Sequence, residues 1–394
     1  MKTPVNRLFF IDAMRAWAIL MMLQGHFIDG LLDPAFRNPE NSAYSFWLYF
    51  RGITAPVFFT VSGFIFTYLL LRAPQKGFAN ARVRKGVKRG LQLIVIGYAL
   101  RLNIFGILKG QIYNGFFLVD VLHCIGLSLL VIVGYYLLTS KLKSVVFGLL
   151  LVGTTVMLFA FEPTYKQWSF QWLPDFMANY VTKANGSVFT IIPWLGYTTF
   201  GAAVSLLFYK FKEYRFLYPL AILISSLLGF VLINYSSLIF LELNRYTHLA
   251  LFKSIYSNNY LFIRLGDVLV VFAVFMFIRK LLTSVTLLKI GANTLAIYVI
   301  HFIILYGSFT GMGLYKFFHH QLTPEIAIGG ALMFMIACTF LALGYDRHEA
   351  EIKKNMDTVG IQLKTYAQIG IKQLWDVLQK LRQLVLRLLA TNRN

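Results

Sequence analysis

Long apolar segments constrain this chain more than any other feature of its sequence. A membrane-spanning helix needs about 20 mostly apolar residues, and ten segments come close to that length. They lie near residues 8–29, 46–71, 91–108, 116–138, 144–161, 188–209, 216–238, 261–278, 288–308 and 324–344. Only 13% of the 394 residues are charged, whereas about a quarter of a soluble domain is charged. The sequence therefore predicts an all-α, polytopic transmembrane helical bundle of about ten helices.

The formal net charge of +21 comes mainly from cations that lie between the apolar segments. They cluster in every second connection, as cytoplasmic loops do. The largest cluster follows the second segment and comprises Arg72, Lys76, Arg82, Arg84, Lys85, Lys88 and Arg89. We therefore expect an integral protein of a bacterial inner membrane with both termini in the cytoplasm. Because topology accounts for the cations, we do not expect nucleic-acid binding.

The tail that follows Gly344 departs from this pattern. Apolar residues recur there at three- and four-residue steps from Ile371 to Leu388, with cations between them. Such a helix is suited to lie on an anionic membrane surface, and binding of a partner protein is the alternative. The predicted domains are a transmembrane domain, residues 1–344, and a basic cytoplasmic tail with an amphipathic helix, residues 345–394.

Ionisable residues within the apolar segments are the main clue to function. A charged side chain inside a bilayer is costly and usually marks a substrate or ion path. In the predicted topology most of these residues fall toward the outer side of the membrane, namely His26, Arg51, Arg101, Asp120, His123, Arg264, Asp267 and His301. Histidines from three segments, with arginines nearby, predict a polar cavity on that side.

Some of these residues have a purely structural alternative. Arg264 and Asp267 are three residues apart and can neutralise each other, since buried charges must be paired. Asp120 and His123 have the same spacing and share a helix face, so the carboxylate can orient the imidazole or only satisfy it. A membrane histidine can also do no more than hydrogen-bond a neighbouring helix.

A further pair lies at the cytoplasmic end of the first segment, where Asp12 and Arg15 are again three residues apart. An ion pair at a helix start is one interpretation, because an acidic residue suits a helix N-terminus. The other is an inner entrance for an anionic cofactor, to which the cations after the second segment would contribute. The sequence has no Walker, dinucleotide-binding or zinc-binding motif, and we expect no metal.

Four motifs occur in order along the apolar segments, namely Phe10–His26, Ala55–Gly63, Asp120–Gly126 and Ile192–Gly196. Together they resemble the heparan-alpha-glucosaminide N-acetyltransferase catalytic-domain family. The segment Ile290–His301 looks like the late helix of the wider transmembrane acyltransferase superfamily, and the resemblance extends to about Gly344. It implies transfer of an acyl group, usually acetyl, from cytoplasmic acyl-CoA to a sugar on the far side of the membrane.

By motif position, the resemblance implies roles for Asp12, Arg15, His26 and His123. We expect His26 to be the general base, with His123 and Asp120 as further catalytic residues. The residues predicted to bind the acceptor or stabilise the reaction are Arg51, Arg101, Arg264, Asp267 and His301. Asp12 and Arg15 are predicted to bind the donor, acetyl-CoA or another acyl-CoA. The expected partners are membrane lipids, acyl-CoA and a sugar or glycan, and a homo-oligomer is left open.

Two other classes of function fit the same residues. A transporter or flippase for a sugar-containing or anionic substrate would use the buried charges as its path, and a membrane scaffold would use only the tail. The chain also departs from the family in two places. Ala16 stands where the family usually has glycine, and Gly30–Tyr44 lacks the histidine that the lysosomal branch carries. The acceptor, O- versus N-transfer and a direct versus covalent route stay open.

Overall fold

The structure is a computed structural model that describes residues 8–351 and Trp375. The predicted amphipathic helix of the tail lies outside the described residues, apart from Trp375. The described chain is built from helices, with short 3₁₀ turns between some of them. In chain order the helices are α1 (Phe9–Leu31), α2 (Ser42–Leu71), α3 (Ala81–Leu100), α4 (Ile104–Leu108), α5 (Val121–Leu138), α6 (Ser144–Ala160), α7 (Glu162–Tyr165), α8 (Asp175–Val181), α9 (Ile191–Lys210), α10 (Leu217–Thr247), α11 (Ala250–Ser257), α12 (Tyr260–Phe277), α13 (Val285–Ala292), α14 (Thr294–Tyr306), α15 (Leu314–Phe318) and α16 (Pro324–Glu351).

All ten predicted apolar segments overlap with helices, although not always with the predicted boundaries. Within the described chain, six helices are long and apolar enough to cross a membrane: α2, α5 with the turn before it, α9, α10, α12 and α16. The helices α13 and α14 bend by 71° and form a seventh candidate if they count as one broken span. The remaining predicted segments correspond to α1, α3 and α6, of which α6 has only 17 residues. The all-α polytopic fold is confirmed.

The third predicted segment, 91–108, has the wrong boundaries. Helix α3 begins ten residues earlier, at Ala81, and ends at Leu100, so the cations from Arg82 to Arg89 are helical and do not lie in a loop. The Asn80 side chain caps the helix by accepting a hydrogen bond from the Arg82 backbone N–H at 2.8 Å. A stripe of apolar and small residues is buried, namely Val83, Gly86, Gly90 and Leu93. The cations occupy the other faces, as expected of an amphipathic helix.

Helices pack closely where a glycine of one helix faces the backbone of its neighbour. A Cβ atom on Gly63 of α2 would lie 1.9 Å from the Thr198 carbonyl oxygen of α9. A Cβ atom on Gly201 of α9 would lie 1.8 Å from the Thr60 carbonyl oxygen of α2. Small residues allow this approach in membrane bundles, where van der Waals packing drives helix association. A similar contact between two glycines joins α3 to α5 and α10 to α12.

Helix α1 lies at the centre of the bundle. Five consecutive side chains, from Phe10 to Met14, are buried, whereas a surface helix buries only one stripe. Its neighbours are α2, α12, α13 and α14. Helix α10 is the opposite case, because only 6% of its apolar window is buried. The chain separates into two units, Met1–Phe340 and Leu341–Asn394, and the helices that position the polar site all belong to the first.

Candidate functional site

A polar cavity of about 610 Å³ lies where the C-terminal ends of α1, α3 and α14 meet the start of α2 and the residue before α5. Four of the predicted site residues line it, namely His26, Arg51, Arg101 and Asp120. Aromatic side chains, including Tyr113, Phe116 and Phe189, complete the wall. The cavity therefore brings together an imidazole, two guanidinium groups and carboxylates, with aromatic side chains around them.

His26 is held by the end of α14. The hydroxyl of Tyr306, the last residue of α14, lies 3.2 Å from Nδ1 of His26. Gly307 ends the helix at this point with a φ of 70°, and a Cβ atom there would lie 2.2 Å from the Gly313 backbone nitrogen. Only glycine fits both conditions. Because Tyr306 occupies Nδ1, the ring nitrogen left for a substrate is Nε2.

Both arginines of the cavity are held by carboxylates. Arg51 donates from Nε to Oδ2 of Asp29 at 2.6 Å and forms an ion pair with it. Arg101 pairs with Oδ2 of Asp120 at 3.1 Å and donates to the Gly115 carbonyl at 3.2 Å. Paired guanidinium groups keep their orientation and can still donate to a ligand through their remaining N–H groups. The two ion pairs therefore hold the guanidinium groups of Arg51 and Arg101 in fixed positions at the cavity wall.

His301 lies behind His26 and does not line the cavity. The two ring centroids are 5.2 Å apart, and His301 is completely buried. Neither ring nitrogen of His301, nor the hydroxyl of neighbouring Tyr298, has a hydrogen-bond partner among the described residues. Buried polar atoms are normally satisfied by protein or ordered water. This polar cluster therefore lies directly behind His26, outside the cavity itself.

Asp120 and His123 contact each other in a way that the sequence did not predict. His123 Nδ1 accepts a hydrogen bond from the Asp120 backbone N–H at 3.1 Å, while the Asp120 carboxylate caps Val121 at 2.8 Å. The pair is thus a capping box at the start of α5. His123 is completely buried and does not line the cavity. A Cβ atom on Gly97 would lie 2.6 Å from its ring.

Helix α8, in the connection between α6 and α9, contacts this region through two tyrosines. The hydroxyls of Tyr98, on α3, and Tyr180, on α8, are 3.0 Å apart. Burial and the hydrogen bond with Tyr98 raise the pKa of the Tyr180 phenol, which is therefore neutral at physiological pH. Tyr98 also packs against His123, with ring centroids 4.3 Å apart. The segment α8 is thereby tied to the helices that carry the site.

Arg264 and Asp267 lie outside the cavity, in a closed cluster with Tyr49. The Asp267 carboxylate accepts hydrogen bonds from the Tyr49 hydroxyl at 2.5 Å and from Arg264 Nη1 at 2.9 Å. The Arg264 guanidinium also lies over the Tyr49 ring, 4.8 Å from its centroid. These contacts neutralise the charges locally. They agree with the interpretation that Arg264 and Asp267 form a neutralised pair with a purely structural role.

Asp12 and Arg15 lie at the other end of α1, about 21 Å and about 17 Å from His26 by the rise of 1.5 Å per residue. Their side chains are 3.7 Å apart, and Arg15 Nη2 donates to the Thr294 hydroxyl at 3.0 Å. Both residues are placed at the contact between α1 and the bent pair α13–α14. They are separate from the cavity that contains His26.

Sequence reasoning missed several residues of the cavity, and Asp29 and Tyr306 are the two that contact predicted site residues most directly. Asp29 follows His26 by three residues and so shares its helix face, a spacing that would have identified it. Tyr306 carries no local signal, because its contact with His26 joins residues 280 positions apart. Within residues 8–351 and Trp375, no group of three or more His, Cys, Asp or Glu residues is arranged to hold a metal ion.

Comparison with known proteins gives one match. A family model described as "Heparan-alpha-glucosaminide N-acetyltransferase, catalytic" matches residues 7–241, which is more than half of the chain. The predicted resemblance to this family is confirmed over that range. The match includes His26, Arg101 and Asp120 but ends well before His301 and Gly344. No curated protein matches the sequence.

Proposed function

We propose a direct acyl-transfer reaction for this chain, which belongs to the heparan-alpha-glucosaminide N-acetyltransferase catalytic family. Family membership and the spanning helices make the chain an integral membrane acyltransferase. The finer proposal is that acyl-CoA enters from the cytoplasm and that a sugar or glycan accepts the acyl group on the extracytoplasmic side. The observation that carries it is His26, hydrogen-bonded to Tyr306 in a cavity with two paired arginines.

His26 acts in this proposal as the general base. Histidine is the side chain whose ordinary pKa lies near neutral pH, and a positioned base contributes about 10²–10⁴-fold to a rate. In the tautomer that this role needs, Nδ1 carries the ring proton and donates it to the Tyr306 oxygen, which leaves Nε2 unprotonated. Nε2 then takes the proton from the acceptor hydroxyl or amine, whose oxygen or nitrogen forms a bond to the thioester carbonyl carbon. When the C–S bond breaks, the proton passes to the departing CoA thiolate.

The tetrahedral intermediate needs donors for its oxyanion. Arg101 and Arg51 are the candidates, because each lines the cavity and is held by a carboxylate. Such preorganised donors are often worth more to the reaction than the base itself. In this assignment Asp120 positions Arg101, and His123 positions Asp120 through the capping box. His301 lies behind His26 and supports its ring by edge-to-face packing.

Donor binding is assigned to the cytoplasmic end of α1. Asp12 and Arg15 lie there at the contact with α13 and α14, and the helical cations of α3 lie on the side that the charge pattern assigns to the cytoplasm. The distance of about 21 Å between this end and His26 requires an extended donor, and the pantetheine arm of CoA is such a group. Acetyl-CoA is the proposed donor.

Product analysis tests this function against a transporter. Purified protein in liposomes should consume acetyl-CoA and release CoA only when a mixture of glycans is present, and mass spectrometry should find one glycan that gains an acetyl group. A transporter would move a glycan across the liposome membrane unmodified. Acetyl-CoA that remains intact with every acceptor class, sugars included, would overturn the proposal.

The orientation has its own test. Reporter domains fused at Gly77 and at the C-terminus should lie in the cytoplasm, whereas one inserted at Lys183 should lie outside. A cytoplasmic Lys183 would place the His26 cavity on the same side as CoA, and transfer across the membrane would then be excluded.

A further inference from the structure

An apolar groove of about 500 Å³ lies at the end of the bundle that is far from His26. It runs between the C-terminal half of α9, the start of α10 and the C-terminal half of α12, and includes Phe200, Leu217 and Met276. The cavity with His26, by contrast, touches the chain just before α9, at Phe189. The volume of the apolar groove falls within the range of about 300–1,000 Å³ that is typical of ligand pockets. The groove is therefore a second, separate concavity.

The walls of the groove suit a hydrocarbon chain. Nearly every lining side chain is aliphatic or aromatic, and the groove is bounded by α10, of whose apolar window only 6% is buried. A ligand with amide groups, such as the pantetheine arm of CoA, would leave those groups without partners there, which is costly. A lipid acyl chain has no such groups.

Two cations, Arg279 and Lys210, contact residues at the edge of the groove. Arg279 donates from Nη1 to the Met276 carbonyl at 2.9 Å, and its guanidinium lies 4.2 Å from the Tyr218 ring centroid. At the end of α9, the Lys210 ammonium lies 5.3 Å from the ring centroid of Phe211, which lines the groove. Within the described part of the chain, neither cation forms an ion pair with a carboxylate.

We propose that this groove binds one anionic phospholipid of the cytoplasmic leaflet, with an acyl chain along the groove and the phosphate between Arg279 and Lys210. Basic pockets between transmembrane helices on the cytoplasmic side recognise such headgroups. Arg279 retains N–H groups that can donate to phosphate oxygens, and charge-assisted bonds of this kind are strong. The charge pattern of the chain assigns the connection 211–216 to this side of the membrane.

Lipid binding to the purified full-length chain tests the proposal. The probes are phosphatidylglycerol and phosphatidylcholine with identical acyl chains, and native mass spectrometry in detergent measures the dissociation constant of each. The wild-type chain should bind one phosphatidylglycerol about tenfold or more tightly than phosphatidylcholine, because each cation near the headgroup contributes. Equal affinity for the two lipids would overturn the proposal.

Two sets of variants locate the lipid. Ala221→Trp places an indole in the groove and should abolish the preferred binding, whereas Leu223→Trp, on the exposed side of the same helix, should not. The double variant Lys210→Gln/Arg279→Gln should bind both lipids equally, while Lys141→Gln/Lys143→Gln, with the same charge change at exposed positions, should keep the preference.

Other outcomes would contradict the assignment. Preferred binding that survives Ala221→Trp would place the lipid elsewhere. If a long-chain acyl-CoA displaces phosphatidylglycerol and Ala221→Trp removes its binding, the groove is a donor site and the lipid proposal is wrong. Because the charge variants leave the groove itself unchanged, they decide the matter even if Ala221→Trp fails to fold. None of these measurements depends on acyl transfer.

Discussion

The Tyr306 hydroxyl and His26 Nδ1, 3.2 Å apart, join the end of α14 to the end of α1. The contact fixes the imidazole ring, and when Nδ1 donates its proton to the Tyr306 oxygen, Nε2 is the nitrogen that can take a proton. It also connects the matched part of the chain with helices beyond the match, since Tyr306 lies outside residues 7–241. The site is therefore built from both halves of the sequence.

Removing this contact should reduce the rate of transfer. Tyr306→Phe takes away one hydrogen bond, whose net contribution is about 0.5–1.5 kcal/mol, so we expect kcat to fall about 3- to 10-fold. Tyr315→Phe is the control, because Tyr315 lines the same cavity but its hydroxyl makes no hydrogen bond within the described residues. An equal loss in both variants would show that the Tyr306 hydroxyl does not position His26.

The ion pair between Arg101 and Asp120 is mostly buried, so breaking it should lower stability. Removing one partner of a buried pair costs about 3–5 kcal/mol, and Arg101→Gln and Asp120→Asn should each lower the melting temperature and the rate. The exposed pair Glu242–Arg245 on α10 is the control, since exposed pairs are worth about 0–1 kcal/mol. Thermal melts in detergent compare Arg101→Gln with Arg245→Gln. Equal melting temperatures would contradict the account.

Gly97 should tolerate no side chain, because a Cβ atom there would lie 2.6 Å from the His123 ring. In Gly97→Ala the imidazole must move, which disturbs the capping box and the carboxylate that holds Arg101. We expect a lower melting temperature and slower transfer. The control is Gly134→Ala on α5, where a Cβ atom meets nothing within 4 Å, and where alanine should stabilise the helix by about 1 kcal/mol. Similar melting curves for both variants would show that the space around His123 is not restrictive.

The cluster of Tyr49, Arg264 and Asp267 should contribute to stability and not to the reaction. Asp267→Asn leaves the Arg264 charge without its carboxylate, at a cost of about 3–5 kcal/mol. The melting temperature should fall, while single-turnover transfer by the folded fraction should stay at the wild-type rate. A stable Asp267→Asn variant that no longer transfers would instead place Asp267 in the reaction.

The segments of the bundle could be predicted from the sequence because the thickness of a bilayer fixes the length of its helices. Helix α3 was the exception. Its buried stripe runs through Val83, Gly86, Gly90 and Leu93, two of which are glycines, and the cations between them gave the stretch the composition of a loop. Hydropathy cannot identify a helix whose buried face is narrow and consists partly of glycine.

Part of the cavity could be predicted as well. His26, Arg51, Arg101 and Asp120 were grouped by the side of the membrane on which they fall, and they do line one cavity. That argument assigns depth but no rotation about the helix axis, so it could not separate them from Arg264, which lies in a different cluster. Contacts such as that between His26 and Tyr306 depend on how distant helices pack, which no local pattern records.

Single-turnover transfer by His26→Gln in nanodiscs tests the central claim most directly. Glutamine keeps a hydrogen-bonding side chain opposite Tyr306 but cannot take a proton near neutral pH. The account predicts that acetyl-CoA binding and the melting temperature remain at wild-type values, while the transfer rate falls by about 10²–10⁴-fold. Transfer at the wild-type rate would contradict it, because His26 would then not be the general base.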